Sequence, residues 1–165
     1  MKSILIIGIG RFGSHLCMNL SRLDNEIMIV DQDEAKLEDL LPFVVSAKIG
    51  DCTNEKVLKS LGVGNFDLCF VCIGNNFQSS LEITSQLREL GAKYIVSKAN
   101  RDIHAKFLLK NGADEVIYPD RDIAEKAVLL CLQVVDLLSL CFCQQTFCDG
   151  DRSQLYARLL DFLLE

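Results

Sequence analysis

Short apolar runs alternate with amphipathic stretches along most of this chain. The runs are rich in β-branched residues and are apolar almost throughout, which is typical of parallel strands that helices cover on both faces. They span residues 3–8, 26–31, 44–50, 67–74, 94–99 and 115–119. The stretches with helical periodicity span residues 11–22, 33–41, 54–61, 77–90 and 102–111. This alternation predicts an α/β fold with a doubly wound parallel sheet and the strand order 3-2-1-4-5-6.

Residues that favour helix ends stand at the borders of the amphipathic stretches. Side chains that can accept hydrogen bonds from a first helical turn occupy the expected N-cap positions Asp33, Asn76 and Asp120. Glycines stand where three of the helices must end, at Gly62, Gly91 and Gly112. These residues support the same division into strands and helices.

The alternation stops after residue 119. Residues 120–140 predict one long helix that is apolar on all sides, residues 141–151 break the pattern, and residues 152–165 predict a short helix. Helices outside a finished sheet have no surface of their own to cover their apolar side chains. We therefore expect a domain over residues 1–140, a hinge and helix over residues 141–165, and packing of these helices on a second copy of the chain.

Composition narrows the class of protein. The chain has 165 residues and a formal net charge of −6, which disfavours a nucleic-acid surface because such a surface needs clustered basic residues. Its longest apolar run, residues 127–143, contains Gln133 and Asp136 and is shorter than the ~20 residues that span a bilayer. The N-terminus enters the strand pattern at once, unlike a signal peptide. We expect a cytoplasmic protein that is not embedded in a membrane.

The eight cysteines indicate small buried side chains more than a disulfide framework. Cys69 and Cys72 form a C-x-x-C pair inside a strand pattern, which should point their thiols to opposite faces of the sheet and argues against a zinc or redox pair. Cys141, Cys143 and Cys148 could gather a metal, although thiols at a buried or interfacial turn are the better explanation.

The stretch GIGRFG, residues 8–13, places three glycines at the G-x-G-x-x-G spacing between a strand and a helix. In this context the motif predicts a Rossmann-like nucleotide site. We expect Gly8 and Gly10 to form the turn that admits a diphosphate, beside the positive end of the helix, and Gly13 to allow close helix–sheet packing. Asp31, at the end of the second strand, should bind both ribose hydroxyls and disfavour the 2′-phosphate of NADP.

Several further residues follow strands at the same edge of the sheet. Asp51 either contacts adenine or caps the next helix, and Lys98 either adds charge to the crevice or lies at an exposed strand end. Arg11 is either a sensor of extra phosphate charge or a solvated surface arginine. The full set of predicted nucleotide-binding residues is Gly8, Gly10, Arg11, Phe12, Gly13, Asp31, Gln32, Asp51, Cys52, Gly74, Asn75 and Lys98.

Several pieces of the sequence together resemble the KTN/RCK (TrkA-N) domain of Ktr/Trk-type potassium-uptake regulatory proteins, over roughly residues 1–140. These pieces are GIGRFGSHL, Asp31, IGDCTNEKVLKSLGV, FVCIGNN, VSKA and GADEVIYPDRD. The resemblance implies a cytoplasmic gating-ring subunit at the inner face of the cell membrane that binds ATP, ADP or NAD(H). It also implies a membrane potassium channel or transporter subunit as partner and a homodimer or higher ring. Residues 120–140 would be the crossover helix of the family, and the segment after them would be exchanged between partners.

Two residues carry family roles in this resemblance. Arg11 matches an arginine that family members direct toward the terminal phosphates, often across the subunit boundary. Asp120 matches an acidic residue that in some members helps to hold a divalent cation, Mg²⁺ or Ca²⁺, near those phosphates, and a simple N-cap is the alternative. Many members continue into a second ligand-binding domain, which we do not expect in this chain.

Three alternative functions remain for the same fold. An NAD-dependent oxidoreductase or an NAD(H) redox sensor would use the same site, and a dimerisation module would have a site without nucleotide affinity. An oxidoreductase must also supply an acid or base beside the nicotinamide. Tyr94 and Lys98 have a Y-x-x-x-K spacing, but in a strand they would lie ~13 Å apart at ~3.3 Å per residue. His15 and His104 are expected to face solvent. We therefore expect a binding protein and not an enzyme.

Overall fold

The computed structural model describes residues 1–121, 123 and 124. The chain divides into two compact units, Met1–Ile123 and Ala124–Glu165, and the following architecture is that of the first unit. The expected long helix over residues 120–140 therefore lies almost entirely outside the described residues, and the hinge and helix over residues 141–165 lie outside them completely.

In the described residues, six parallel strands form one sheet in the order β3-β2-β1-β4-β5-β6. The strands are β1 Ser3–Ile7, β2 Glu26–Asp31, β3 Ser46–Ile49, β4 Leu68–Val71, β5 Ile95–Lys98 and β6 Glu115–Ile117. Helices connect each strand to the next. This Rossmann-like arrangement confirms the predicted doubly wound sheet and its strand order.

The connecting helices are α1 Arg11–Ser21, α2 Glu34–Glu38, α3 Glu55–Leu61, α4 Phe77–Glu89 and α5 Asp102–Lys110. Each lies within its predicted range, and α2 differs most because it ends before residue 41. A separate 3₁₀ turn, Leu41–Phe43, follows it and contains Pro42 in its first positions. Proline cannot donate the backbone hydrogen bond that continuation of an α-helix needs, so the helix stops before it.

Most of the predicted boundary residues act as expected. Asp33 accepts a hydrogen bond from the Ala35 N–H at 3.2 Å, and Asn76 accepts one from the Ser79 N–H at 3.1 Å. The glycines that end helices have positive φ angles: 67° at Gly62, 82° at Gly91 and 107° at Gly112. The prediction for Asp120 is wrong, because the helix there begins at Pro119 and Asp120 is its second residue. Proline suits a first helical position, where its missing N–H is not needed.

The apolar core lies on both faces of the sheet. Leu5 and Ile7 belong to one buried cluster and Ile4 and Ile6 to the other, as side chains of one strand must alternate. Cys69 lies in the first cluster and Cys72 in the second, so their thiols are on opposite faces as predicted. Burial raises the pKa of both thiols to about 12, which keeps them protonated at neutral pH.

The strand order places a crevice at the carboxyl ends of the central strands. Connections from β1 and β4 leave in opposite directions, and ligands of doubly wound sheets bind at such a switch point. Gly8 follows β1, Asp31 ends β2 and Gly74 lies shortly after β4, so all three reach this crevice. None of the helices that the structure describes is long and apolar enough to cross a membrane.

Candidate functional site

Two of the three motif glycines are required by the fold itself. Gly8 has a φ of +91°, and a Cβ atom there would lie 2.9 Å from Cγ1 of Ile73. A Cβ atom on Gly13 would overlap the carbonyl oxygen of Gly8. The start of α1 therefore approaches the end of β1 more closely than any side chain allows. Both expected structural roles are supported by this geometry.

Gly10 faces open space. A Cβ atom there would meet no atom within 4 Å, and its backbone is extended, with φ −87° and ψ −172°. Gly10 is the N-cap residue of α1, and within the described residues no side chain caps this helix and no acidic residue lies in its first turn. The first N–H groups and the positive end of the helix dipole are thus available to an anion beside Gly10.

Asp31 holds the glycine loop in place. Its Oδ2 accepts a hydrogen bond from the Ile9 N–H at 2.7 Å, and its Oδ1 accepts one from the Asp33 N–H at 2.9 Å. Nζ of Lys36 lies 3.4 Å from the same Oδ1, and the charge of Asp31 raises the pKa of Lys36. A carboxylate has about four lone-pair positions, so Asp31 retains capacity for a ligand hydroxyl. No local signal in the sequence indicates the Ile9 and Lys36 contacts.

A cleft of about 730 Å³ opens beside Asp31, toward the start of α4. Its volume lies within the range of small-molecule sites. The predicted residues on its walls are Gly8, Asp31, Gln32, Asp51, Cys52 and Asn75. Sequence reasoning missed Lys36, Thr53, Ser79 and Ile83 as wall residues and assigned Asn76 only a capping role. Ser79 and Ile83 are four residues apart on α4, a helical spacing that could have identified a wall of the cleft.

Asp51 forms a tight local turn at this cleft. Its Oδ1 accepts hydrogen bonds from the Thr53 N–H at 2.9 Å and the Thr53 hydroxyl at 2.7 Å, and these bonds lower the pKa of the carboxyl. The alternative that Asp51 caps the next helix is wrong, because Asn54 is the N-cap of α3 and accepts from the Lys56 N–H. Cys52 is buried beside it, and its thiol pKa is raised to about 12.

A smaller crevice of about 250 Å³ adjoins this cleft and shares Gly8, Asp31, Ile73 and Asn75 with it. Arg11, Phe12, Gly74 and Lys98 line it together with Gly10. Nζ of Lys98 lies 5.9 Å from the centre of the Phe12 ring, and a Cβ atom on Gly74 would lie 2.9 Å from this Nζ. Lys98 is half-buried and lines the crevice, which favours the prediction that it adds charge there over the alternative of an exposed strand end.

Arg11 and Lys98 give the smaller crevice a positive character. Arg11 is exposed at the first position of α1. Within the part of the chain that the structure describes, neither side chain makes a hydrogen bond or ion pair. Two unpaired cations beside an uncapped helix N-terminus form a favourable place for anionic oxygens. The structure thus brings together every predicted nucleotide-binding residue except Gly13, which supports the loop from behind.

His104 does not face solvent, so that expectation is wrong. It is 3% exposed, and its ring centre lies 4.8 Å from that of Phe77. Nε2 is buried without a hydrogen-bond partner among the described residues, and burial lowers the pKa of the imidazole. His104, Ala105 and Leu108 form the buried stripe of α5, a helical spacing that could have revealed this.

Enzyme-like and metal-binding arrangements are not formed by the described residues. Tyr94 precedes β5 and its hydroxyl lies 3.3 Å from Oε2 of Glu115, whereas Lys98 ends the strand at the smaller crevice. The described residues contain no group of three or more His, Cys, Asp or Glu side chains that could hold a metal. Asp120 is exposed and lines neither cavity. The cysteine group at Cys141, Cys143 and Cys148 lies outside the described residues.

Comparison with known families agrees with this architecture. Residues 4–119 match the model of the TrkA-N domain. The chain belongs to the TrkA-N domain family. The resemblance inferred from the glycine motif, Asp31 and the later sequence pieces is therefore confirmed.

Two relatives of this TrkA-N chain come from Bacillus subtilis (strain 168). Ktr system potassium uptake protein C is 43% identical over 141 residues, which cover 84% of this chain and 64% of that protein. Ktr system potassium uptake protein A is 39% identical over 125 residues, which cover 76% of this chain and 56% of that protein. The chain thus spans less than two thirds of the length of either relative.

Solved structures share the TrkA-N fold. The TrkA-N domain of the inner membrane protein ybaL from Escherichia coli has a TM-score of 0.70 at 23% identity, covering 78% of this chain and 96% of that chain. The GsuK channel bound to NAD has a TM-score of 0.63 at 19% identity, covering 70% and 21%. GsuK bound to ADP has a TM-score of 0.62 at 19% identity, covering 71% and 31%. At these identities the likeness concerns the fold.

Proposed function

We propose that this chain is a cytoplasmic regulatory subunit of a potassium channel or transporter and that an adenine nucleotide controls it. The observation that carries the proposal is a pair of adjoining cavities that share Gly8 and Asp31: Asp51 lines only the larger one, and the unpaired cations Arg11 and Lys98 line only the smaller one. A nucleotide has the same two halves: a nucleoside that offers hydroxyl and amino donors, and phosphates that offer anionic oxygens. The potassium-uptake relatives supply the transport context.

The nucleoside would occupy the larger cleft. Asp31 would accept a hydrogen bond from a ribose hydroxyl with the lone pair that Ile9, Asp33 and Lys36 leave available, and displacement of the 3.4 Å Lys36 contact would allow it to accept from both hydroxyls. Asp51, ionised and fixed by Thr53, would face the amino edge of adenine. The phosphates would cross Gly8 and Gly10 at the N-terminal end of α1, where a close approach of backbone to ligand meets no side chain.

The terminal phosphates would contact Arg11 and Lys98. A diphosphate is already bound by backbone N–H groups in such loops, so additional cations favour ligands with additional phosphate charge. ATP and ADP are therefore the preferred ligands in this proposal. A divalent cation, Mg²⁺ or Ca²⁺, would take its oxygen ligands from the phosphates and water, because Asp120 lines neither cavity and is not assigned as a ligand.

Regulation requires that the ligand bind two conformations with different affinity, because equal affinity shifts no equilibrium. We propose that the chain forms a homodimer or a higher ring at the inner face of the membrane. The terminal phosphate would change the arrangement of its subunits, and a membrane potassium subunit would respond. A coupling of ~1–3 kcal/mol is the usual scale for such transmission.

NAD(H) is the second candidate ligand, in a redox sensor or an oxidoreductase that uses the same site. The chain is similar in fold to the GsuK channel bound to NAD, which is the reason to test NAD(H) as a ligand. For an oxidoreductase, the Y-x-x-x-K spacing offers no paired groups, because Tyr94 bonds to Glu115 at the far end of β5 from Lys98. A regulatory binding role agrees better with the described residues.

Thermal unfolding of the purified chain with ATP, ADP, NAD⁺ and NADH distinguishes these candidates. A ligand at 100 times its Kd adds about 2.7 kcal/mol of stability, which a melting curve detects. We expect ATP and ADP to raise the unfolding midpoint most and Arg11→Ala to reduce that increase. Preferential stabilisation by NAD(H) that Arg11→Ala leaves intact would favour the redox alternative. The absence of any shift would leave only a dimerisation module.

A further inference from the structure

Gln86 joins two walls of the larger cleft without lining it. Its Nε2 donates a hydrogen bond to the carbonyl oxygen of Thr53 at 3.1 Å, across 33 residues of sequence. Its Oε1 is buried and has no hydrogen-bond partner among the described residues. Neither cavity includes Gln86 among its lining residues. The side chain therefore contacts the cleft only through the backbone of Thr53.

The segment that Gln86 holds has little other support from the sheet. It follows β3, an edge strand that pairs with β2 alone in the described sheet. The last sheet-like bond runs from the Gly50 N–H to the Asp31 carbonyl at 2.9 Å. Beyond Gly50, the hydrogen bonds between Asp51 and Thr53 are local and fix the shape of the turn but not its place. Burial of the Cys52 side chain, a side-chain hydrogen bond between Gln32 and Asp51 and the Gln86 hydrogen bond tie the turn to the rest of the molecule, and of these two hydrogen bonds only the second connects it to α4.

Gln86 lies on the same side of α4 as the cleft wall. Ser79 and Ile83 line the cleft, and Gln86 follows them at the helical spacing of four and then three residues. The hydrogen bond to Thr53 therefore fixes the distance between the α4 wall and the turn that carries Asp51. This distance sets the width of the cleft where the base would lie.

Stability does not explain a glutamine at this position. A neutral hydrogen bond contributes modestly to folding, whereas a buried acceptor without a partner carries a comparable or larger cost. An apolar side chain of similar size would avoid the unpaired Oε1 and keep the packing but would remove the donor to the Thr53 carbonyl, so glutamine has no clear advantage for stability. The Gln86 amide is thus better explained by its effect on the position of Thr53.

We propose that Gln86 is a positioning residue for the base end of the nucleotide site, acting through the Asp51–Thr53 turn. This inference rests on the proposed function, because it requires an adenine nucleotide in the cleft. Held in place, the Asp51 carboxylate accepts a hydrogen bond from the adenine amino group and repels the 6-oxo group of guanine. Gln86 then contributes to purine selectivity although it does not touch the ligand.

Calorimetric titration of the full chain with ADP and with GDP tests this role in the variant Gln86→Met. Methionine has nearly the same length but can neither donate to Thr53 nor leave a strong acceptor unpaired. We expect an unfolding midpoint close to that of the wild type, because the lost Thr53 hydrogen bond and the removed unpaired Oε1 offset each other, an ADP Kd that rises about three- to tenfold, the scale of one hydrogen bond, and a smaller ADP-to-GDP preference. Gln86→Leu, which is shorter, provides a second apolar variant.

The matched control is Gln78→Met on the same helix. Gln78 is exposed, bonds to Glu82 at 2.7 Å and lines neither cavity, so ADP binding should not change. The inference is overturned if Gln86→Met binds ADP as the wild type does, or loses ADP and GDP affinity in equal proportion. Failure of the wild-type chain to bind ADP would instead overturn the proposed nucleotide site, and the inference with it.

Discussion

At the scale of single residues, the motif glycines have different physical reasons for being glycine. Gly8 and Gly13 are required by contacts within the chain, whereas Gly10 has no atom within 4 Å of its missing side chain. Gly10 therefore provides access to the crevice, and Gly13 provides close packing of α1 on β1. Substituting alanine at each of the two positions separates the two roles.

We expect Gly13→Ala to destabilise the chain by about 1–3 kcal/mol, the scale of overpacking in a close-packed interior, despite the better helix propensity of alanine. Gly10→Ala should change the free energy of unfolding by less than about 1 kcal/mol, since alanine is only a poorer N-cap. Urea unfolding measures both. If Gly10→Ala proves the more destabilising of the two, the assignment of packing to Gly13 and access to Gly10 is wrong.

Gly10→Ala should nevertheless weaken nucleotide binding, because its methyl group would project into the space assigned to the phosphates. The motif spacing alone could predict all three glycines. The spacing could not show which glycines the fold requires without a ligand. That depends on how closely Ile73 lies to Gly8 and the Gly8 carbonyl lies to Gly13.

At the scale of secondary-structure elements, the sequence pattern predicted the strands and helices closely because local signals coincide. Apolar runs, caps and glycine stops fall at the same borders, and Pro42 accounts for the early end of α2. Contacts between elements that are distant in the sequence could not be predicted from the sequence pattern. The Asp31 bond to Ile9 and the Gln86 bond to Thr53 depend on how elements meet in space. The cap at Asn54 is local, since it accepts from the Lys56 N–H, and an asparagine before the helix could have indicated it.

The packing of α5 on α4 contains a pH-sensitive group. His104 is buried beside Phe77, and burial holds the pKa of the imidazole below its ordinary value of 6.5. A group with a lowered pKa in the folded state binds its proton less readily there than in the unfolded chain. Stability is therefore complete above pH 6.5 and decreases as the pH falls toward the lower folded-state pKa.

We expect His104→Leu to lose less stability than the wild type between pH 7.5 and pH 5, because it removes the histidine that protonates preferentially in the unfolded chain. His15→Leu is the matched control, since His15 is exposed on α1. Urea unfolding at the two pH values provides the comparison. A pH dependence identical in wild type and His104→Leu would show that the buried imidazole contributes nothing to acid sensitivity.

At the scale of the whole molecule, the doubly wound sheet brings two chemically different cavities to one edge. Asp51 lines only the larger one, the cations Arg11 and Lys98 line only the smaller one, and Gly8 and Asp31 line both. The sequence predicted that these residues meet at one edge, because each follows a strand at the carboxyl edge of a parallel sheet. It could not predict that Lys98 would lie against Gly74 and near Phe12, since these contacts depend on loop paths and side-chain conformations as well as on the strand order.

The proposed function depends above all on one nucleotide spanning both cavities, with its terminal phosphates on Arg11 and Lys98. Calorimetric titration of the wild-type chain, Arg11→Met and Lys98→Met with ATP and with AMP tests this, because the two ligands share the nucleoside but differ in terminal phosphates. We expect ATP to bind the wild type at least about tenfold more tightly than AMP, since hydrogen bonds to charged groups contribute ~1.5–3 kcal/mol. Each variant should reduce this ratio while AMP binding changes little. Equal affinities for ATP and AMP in the wild type, or a ratio that neither variant alters, would contradict the placement of the phosphates.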